Sequence, residues 1–460
     1  MHDLTTGSVS RHLLKTTGFM LATMVFQTLY FLVDLYWVGR LGTTAVAGVA
    51  IAGNWTFVVL ALTQMLGVGT TAVVSHAFGR RDHDAARMLF NQSQVLAMLT
   101  GGAFLAVGLA VAVPYSTAMA ADSATARESA RYLSWFVPAM ALQFAMVAMG
   151  SALRASGNFR PTMVVSIATI SLNMLVTPFL IFGWGTGRAF GVAGAAMGSF
   201  IAMVVAIAWL ATYFPAHAVL RFEPRTWRPR LDTWRQMLAI GLPAGLEFAI
   251  MAASMVITYG VMRPFGAPAQ AAFGIGLRVI QAGFMAVVAL GFAVGPVAGQ
   301  NYGARIAERV KATFRDAALM AGGYQLLFAA MVLAFAPRFV AIFSRNPETI
   351  AIGAQYLRIT AFSFVPSGLV FVSSSMFQAM GNTMPALIAS ASRFVLFAGI
   401  VLGAARLPAF RLEWIWYIAL GTVFVQLALS LSLLRQQFIR RLVFGSAMQL
   451  PGSEEPATAR

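Results

Sequence analysis

The chain has 460 residues, of which 59% are hydrophobic and only 10% are charged. Soluble domains carry about 25% charged residues, so this chain has too few charges to cover the surface of a water-soluble protein of its length. Its net charge of +17 lies in short loops between apolar runs, which is typical of orientation in a membrane. The composition therefore predicts an all-α integral membrane protein that does not bind nucleic acid.

Several classes of enzyme are excluded by the same counts. The chain has no cysteine, which rules out disulfides, cysteine-bound metal clusters and thiol nucleophiles. Its five histidines are scattered, without an H-E-x-x-H pair for zinc. A membrane enzyme would need His, Asp or Lys clustered at the membrane surface, and the sequence has no such cluster. We therefore predict no enzymatic activity, no metal site and no cofactor.

About twelve apolar runs are long enough to cross a bilayer, because roughly 20 helical residues span its hydrocarbon core. With the first residue in the cytoplasm, the inner segments hold about 19 Lys and Arg and the outer loops about 9, which predicts cytoplasmic termini in a multi-pass protein of the cytoplasmic (inner) membrane. The predicted spans are 16–38, 46–77, 89–113, 130–153, 161–183, 191–214, 236–262, 269–299, 314–336, 352–378, 384–404 and 413–435.

The first span carries one carboxylate, Asp34. A charge at membrane depth costs about 2.5–3.5 kcal/mol even on lenient scales, so intramembrane acids are functional by default. The structural alternative is an acid near the helix end that reaches the headgroups or pairs with Arg40. Gln27 and Tyr30 precede Asp34 by about two turns and one turn, so they share its face of the helix.

The second half of the chain repeats the first at an offset of 224 positions. Loop residues recur at this offset as well as apolar ones, for example Arg81 with Arg305 and Gly157 with Gly381. Each half holds six spans, an even number, so both halves enter the membrane from the same side as parallel repeats. We predict an N-terminal lobe (1–220), a cytoplasmic linker (221–235), a C-terminal lobe (236–445) and a disordered tail (446–460).

The C-terminal half offers fewer functional candidates. Asp34 has Thr258 as its repeat partner, so the acid is specific to one lobe. Glu247 is either a second protonation site or an acid solvated near the cytoplasmic face and paired with Arg235. Arg278 and Arg393 either face a cavity or snorkel to the interface. Further candidates for a cavity wall are Tyr259, Gln281, Phe284 and Met285.

Motifs in this order resemble those of the MATE (multidrug and toxic compound extrusion) family. They include D-x-x-x-x-G at Asp34 and Gly39, HAFGRRD at 76–82, GQNYGA at 299–304 and N-x-x-x-x-P from Asn173 to Pro178. The resemblance covers nearly the whole chain and implies two six-helix bundles that form a V around a cavity. It also implies that Asp34 takes the coupling cation, with Asn173 and Ser199 lining its pocket.

One position departs from the pattern of the family. Many prokaryotic members place a second acid immediately before the fifth-span proline, and this chain has Thr177 there. A lone carboxylate can still bind and release one proton, whereas sodium would lack a second negative charge to offset its desolvation. The C-terminal lobe also has no acid around Pro366. These features favour proton coupling over sodium at Asp34, and a DinF-like branch over a NorM-like one.

The resemblance implies a monomeric secondary antiporter that is embedded in the lipid bilayer. It would export lipophilic, often cationic, small molecules in exchange for protons. Protonation of Asp34 would then release the substrate outside. Two alternatives are sodium-driven efflux and a flippase for a lipid-linked saccharide on a related fold. A flippase would need a cationic cavity for a pyrophosphate, and Arg278 and Arg393 offer little toward one.

Overall fold

The computed structural model describes residues 3–185, 187–215 and 219–444. Within these ranges the regular secondary structure is entirely helical, which confirms the predicted all-α class. The helices are α1 (Val9–Gly39), α2 (Thr43–Gly53), α3 (Trp55–Gly79), α4 (His83–Met119), α5 (Ser123–Ala155), α6 (Arg160–Phe182), α7 (Val192–Thr212), α8 (Leu231–Met262), α9 (Gly266–Gly303), α10 (Ala307–Ala341), α11 (Pro347–Ala361), α12 (Phe364–Ala379), α13 (Met384–Ala404) and α14 (Leu412–Arg441).

Two of the predicted spans consist of two helices each. The second span is interrupted at Asn54, between α2 and α3. The tenth bends by 55° between α11 and α12. Pro366 explains this bend, because its ring nitrogen cannot donate to the carbonyl of Phe362, the residue that follows α11. Within the described ranges, ten segments are long and apolar enough to cross a membrane, or eleven with the bent pair. One of them, Leu231–Gly303, contains both α8 and α9.

The segment between α7 and α8 lies earlier in the chain than the predicted linker, since α7 ends at Thr212 and α8 begins at Leu231 rather than 236. Side chains of α4 hold the described part of the linker in place. The Asn91 amide donates to the carbonyl of Arg221 at 2.9 Å and accepts from the Glu223 backbone N–H at 3.0 Å and from the Trp227 indole at 2.9 Å. The predicted tail, 446–460, lies outside the described residues.

The duplication is visible in the backbone. Arg81 and Arg305, which are repeat partners, both have positive φ angles, 58° and 61°. Non-glycine residues seldom take this conformation. Gly157 and Gly381 form a second such pair, with φ of 80° and 71°. Turns of the same unusual geometry at the same offset confirm two repeated halves.

The first span of each half packs against helices of both halves. Helix α1 packs against α6 of its own half and against α9 of the other, while α8 packs against α13 of its own half and against α3 of the other. The offset of 224 relates α1 to α8, α6 to α13 and α3 to α9, so the two first spans make equivalent contacts. Each first span is therefore positioned to respond to movement of both halves.

Glycines allow the closest of these contacts, between α3 and α8. A Cβ atom at Gly69 would lie 2.5 Å from the carbonyl oxygen of Met237, and one at Gly245 would lie 2.8 Å from that of Ala61. A Cβ at Gly241 would meet the carbonyl of Met65. These partners run in opposite directions along the chain, so the two helices cross antiparallel with their backbones nearly touching.

The halves also meet at the end of the bundle where Leu4 and Phe444 lie, near the first and last described residues, and we call this end the terminal face. There the backbone N–H of Leu4 donates to Gln300 Oε1 at 3.1 Å, and Gln300 Nε2 donates to the carbonyl of Ala155 at 2.7 Å. The His76 ring donates through Nε2 to the carbonyl of Ala379 at 2.6 Å. These bonds join the two halves, so the terminal face is closed.

The α3–α8 contact predicts that substitution by alanine will change the free energy of unfolding very differently at two glycines of α8. Gly241→Ala should lower the free energy of unfolding by about 1–3 kcal/mol, because the added methyl group overlaps the Met65 carbonyl. Gly260→Ala is the matched control, since nothing lies within 4 Å of a Cβ at that position. Thermal unfolding in detergent measures both variants. Equal melting temperatures would contradict the described contact.

Candidate functional site

Asp34 lies five residues before the end of α1, about 8 Å along the helix from the face opposite the terminal face. Its side chain is partly buried, and Oδ1 is buried without a hydrogen-bond partner among the described residues. Arg40 does not pair with it. The Arg40 guanidinium instead lies 5.0 Å from the ring centre of Tyr36 and 5.8 Å from that of Trp37. The carboxylate therefore has no counter-charge in this structure within the described residues.

Four of the predicted residues form a hydrogen-bonded chain across α1, α7 and α6. The Tyr30 hydroxyl lies 2.9 Å from Ser199 Oγ, and Asn173 Nδ2 donates to the same Oγ at 3.3 Å. Thr177 Oγ1 donates to Asn173 Oδ1 at 3.1 Å. Ser199, Asn173 and Thr177 are buried. The chain consists of hydroxyl and amide groups, so it surrounds the Asp34 region with polarity but adds no charge.

The position of Thr177 is tightly enclosed. Gly198 on α7 faces it, and a Cβ atom at Gly198 would lie 3.3 Å from the Thr177 Cα atom. Only 1% of the Thr177 surface is exposed, so its side chain is packed on all sides. The packing of α6 on α7 thus fits the small residue that the sequence has where many relatives carry an acid.

One residue of this site was missed by the sequence analysis. Tyr132 on α5 is buried, and its hydroxyl is close enough to Asp34 and Tyr30 to interact electrostatically with both. The signal that could have identified it is the repeat, because Tyr132 and Tyr356 occupy equivalent positions. Gln27, in contrast, is exposed and takes no part in the hydrogen-bonded chain, so its predicted role in ion coupling gains no support from the geometry.

The equivalent region of the second half has the opposite charge. Thr258 replaces Asp34, and its hydroxyl donates to the carbonyl of Ser254 at 2.8 Å. Tyr356 is buried, as Tyr132 is, but the charged group that interacts with it electrostatically is Arg393. The Arg393 guanidinium donates to Gln426 Oε1 at 3.4 Å. The repeated tyrosine thus interacts electrostatically with a carboxylate in the first half, where it is Tyr132, and with a guanidinium in the second, where it is Tyr356.

Glu247 is the other carboxylate within a long apolar segment. Its Oε1 atom is buried and has no hydrogen-bond partner among the described residues. The predicted pairing with Arg235 is not present, since twelve helical residues separate the two by about 18 Å along α8. The Ser374 hydroxyl of α12 lies near the carboxylate without forming a hydrogen bond to Oε1. Glu247 is therefore a second unpaired acid, separate from the Tyr30–Ser199–Asn173–Thr177 chain.

The remaining predicted cavity residues do not gather around Asp34. Tyr259, Arg278 and Gln281 are exposed. Phe284 and Met285 are half-buried, and Phe284 packs edge-to-face on Phe371 with 5.7 Å between ring centres. Across 3–185, 187–215 and 219–444, no three His, Asp or Glu side chains come together in a way that would hold a metal ion.

Comparison with known proteins places both halves in one family. The MatE family model matches residues 20–179 and again 243–403, more than half of the chain. An FAD transporter from Shewanella oneidensis is 24% identical over 86% of this chain and 88% of its own length. The probable multidrug resistance protein YoeA of Bacillus subtilis is 24% identical, and the multidrug export protein MepA of Staphylococcus haemolyticus is 22% identical; each match covers 79% of this chain and 80% of the relative.

Solved structures agree on the fold. An outward-facing multidrug resistance MATE transporter superposes with a TM-score of 0.87 at 22% identity, covering 95% of this chain and 97% of its own. A MATE transporter in a bent conformation gives a TM-score of 0.89 at 23% identity, with the same coverage. Together with the duplicated six-span halves, these matches show that the chain belongs to the MatE family of membrane transporters.

Proposed function

We propose that this protein is a secondary active multidrug efflux antiporter that exports lipophilic cations in exchange for protons, with Asp34 as the group that binds the coupling proton. The observation that carries the proposal is the unpaired Asp34 carboxylate, present in one half only, beside a chain of hydroxyl and amide groups. The multidrug proteins among the relatives support the same activity. The FAD transporter among them means that family membership alone does not fix the substrate.

An exchange of cations follows from the cost of leaving Asp34 charged. An isolated charge at membrane depth costs about 2.5–3.5 kcal/mol, and either a cationic substrate or a proton removes that cost. One carboxylate has one negative charge, so it compensates one cation and not two. Proton binding from outside would therefore release a bound substrate cation, and loss of the proton inside would restore the binding site.

The closed terminal face fits the outward-facing stage of this cycle. Loops with many Lys and Arg point to the cytoplasm, which would make the terminal face cytoplasmic and place both termini inside. Asp34 lies toward the opposite end of α1, where it would meet protons from outside. Because α1 also packs on α9 of the second half, a change of charge at Asp34 can alter the packing between the halves.

Protons suit this site better than sodium. Sodium would bring a full charge and shed its water, and Thr177 offers a hydroxyl where a second carboxylate would offset that cost. We retain sodium coupling as the alternative, and we also retain as predictions the DinF-like branch, the inner-membrane location and the monomeric state. A lipid-linked saccharide flippase is less well supported, because Arg278 is exposed and Arg393 is bonded to Gln426.

The first prediction concerns Asp34 itself. Asp34→Asn should lower the initial rate of pH-driven export of a fluorescent lipophilic cation by at least about tenfold, because the amide cannot take up or release the coupling proton. Dye export from proteoliposomes measures the rate. Glu247→Gln, which neutralises the other unpaired acid by the same isosteric change, is the matched control and should keep most of its export. Export by Asp34→Asn at the wild-type rate would contradict the proposed role of Asp34.

A second prediction tests whether the halves must separate at the terminal face. A Cβ atom at Gly299 would lie 3.0 Å from Ser75 Cβ, near the separation of about 3.5–4.5 Å that a disulfide needs. The native chain has no cysteine, so Ser75→Cys with Gly299→Cys gives one defined cross-link. Oxidation should stop export and reduction should restore it. The two single variants are controls, and full export by the cross-linked protein would contradict alternating access at this face.

A further inference from the structure

A small cavity lies between the two halves, directly beside the contacts that close the terminal face. Its volume is about 50 Å³, and helices α3 and α5 of the first half and α9 and α12 of the second line it. Ala379 in its wall accepts the His76 hydrogen bond that joins the halves. A water needs about 10–15 Å³ of such volume, so the cavity has room for a group of a few heavy atoms.

The cavity lies on the axis that relates the two repeats. Its lining contains pairs of residues that occupy equivalent positions at the offset of 224. These pairs are Gly67 with Gly291, Val68 with Phe292, Thr71 with Gly295 and Arg154 with Gln378. A site on this axis touches both halves at once and changes shape whenever one half moves against the other.

Arg154 is the one charged residue in the lining, and it has no counter-charge. Its Nη2 atom donates to Ser151 Oγ at 2.8 Å, one turn back along α5 and away from the terminal face. Across 3–185, 187–215 and 219–444, no carboxylate oxygen lies within 4.0 Å of the guanidinium. A guanidinium has five N–H donors, so most of its hydrogen-bonding capacity is unused. A buried charge in this condition is costly unless a ligand pairs with it.

The neutral polar residues of the lining add donors around the same space. The side-chain amides of Gln64 and Gln378 line the cavity and form no hydrogen bond with another described residue. Each amide has two N–H donors, and the planar guanidinium presents a fork that matches a carboxylate or a phosphate. A positively charged, donor-rich cavity is complementary to an anionic group and repels the cation that Asp34 would bind.

We propose that this Arg154 cavity binds the anionic group of a transported molecule, a carboxylate in the first instance, while the rest of the molecule extends between the halves, away from the terminal face. The inference rests on the proposed export function and adds to its cationic substrates compounds that also carry an acidic group, that is, zwitterions. Asp34 and Arg154 then recognise opposite charges at different depths. Substrate entry from the terminal face requires the same parting of the halves that opens the cavity.

A matched pair of dyes tests the proposal by binding alone. A rhodamine ethyl ester is a cation, and the corresponding free acid is a zwitterion of nearly the same shape. Fluorescence anisotropy gives the dissociation constant of each for purified protein in phosphatidylcholine nanodiscs, which contain no anionic lipid to occupy the site. In Arg154→Gln the affinity for the free acid, relative to the ester, should fall about tenfold, the usual size of one lost charge-assisted hydrogen bond.

Two further variants keep the test decisive. Gln378→Glu places a carboxylate in the cavity while Arg154 stays, so it should lower relative binding of the free acid and raise the melting temperature by pairing with the guanidinium. Arg393→Gln removes another largely buried arginine, which does not line the cavity, and should leave the ratio unchanged. An unchanged ratio in Arg154→Gln, including equal weakening of both dyes, would overturn the proposal. Failure of pH-driven ester export would instead contradict the antiport function, whatever the binding ratio.

Discussion

The cost of an uncompensated charge in apolar surroundings is the constraint on which the rest of this structure depends. Asp34 has no basic partner within reach, since Arg40 packs on Tyr36 and Trp37 instead. The hydroxyl and amide groups beside it provide polarity without charge. Such a carboxylate is stable only with a cation beside it, and a transporter that offers it two different cations on the two sides of a membrane has the basis of an exchange cycle.

The helical scaffold is duplicated, but its charges are not. Turn geometry and the packing of each first span on both halves recur at the offset of 224. The buried ionisable positions differ, because Asp34 has Thr258 as its partner, Gln378 replaces Arg154, and Arg393 has Thr169 as its partner. The two halves therefore pack in similar ways and can move against each other. Because the charged groups differ between the halves, that movement can be driven in one direction.

Hydropathy and the repeat were enough to predict most of the fold. Span lengths, the all-α class and the two halves could be predicted because each depends on composition along the chain. The breaks at Asn54 and between α11 and α12 could not, because an apolar run has the same composition whether it is straight or bent. Of the residues that the resemblance marked, Asn173 and Ser199 lie in one hydrogen-bonded chain, and Asp34 Oδ1 has no hydrogen-bond partner among the described residues. Arg154 was counted with the cytoplasmic loop residues, since the sequence does not show that a side chain at a helix end turns inward.

The central claim is that a single carboxylate couples export to protons. Its most direct test is export of a lipophilic cation from wild-type proteoliposomes under a proton gradient alone and, separately, under a sodium gradient alone. The unpaired Asp34 carboxylate and the neutral hydroxyl and amide groups beside it predict export with the proton gradient and none with the sodium gradient. Export driven by sodium in the absence of a proton gradient would contradict that account.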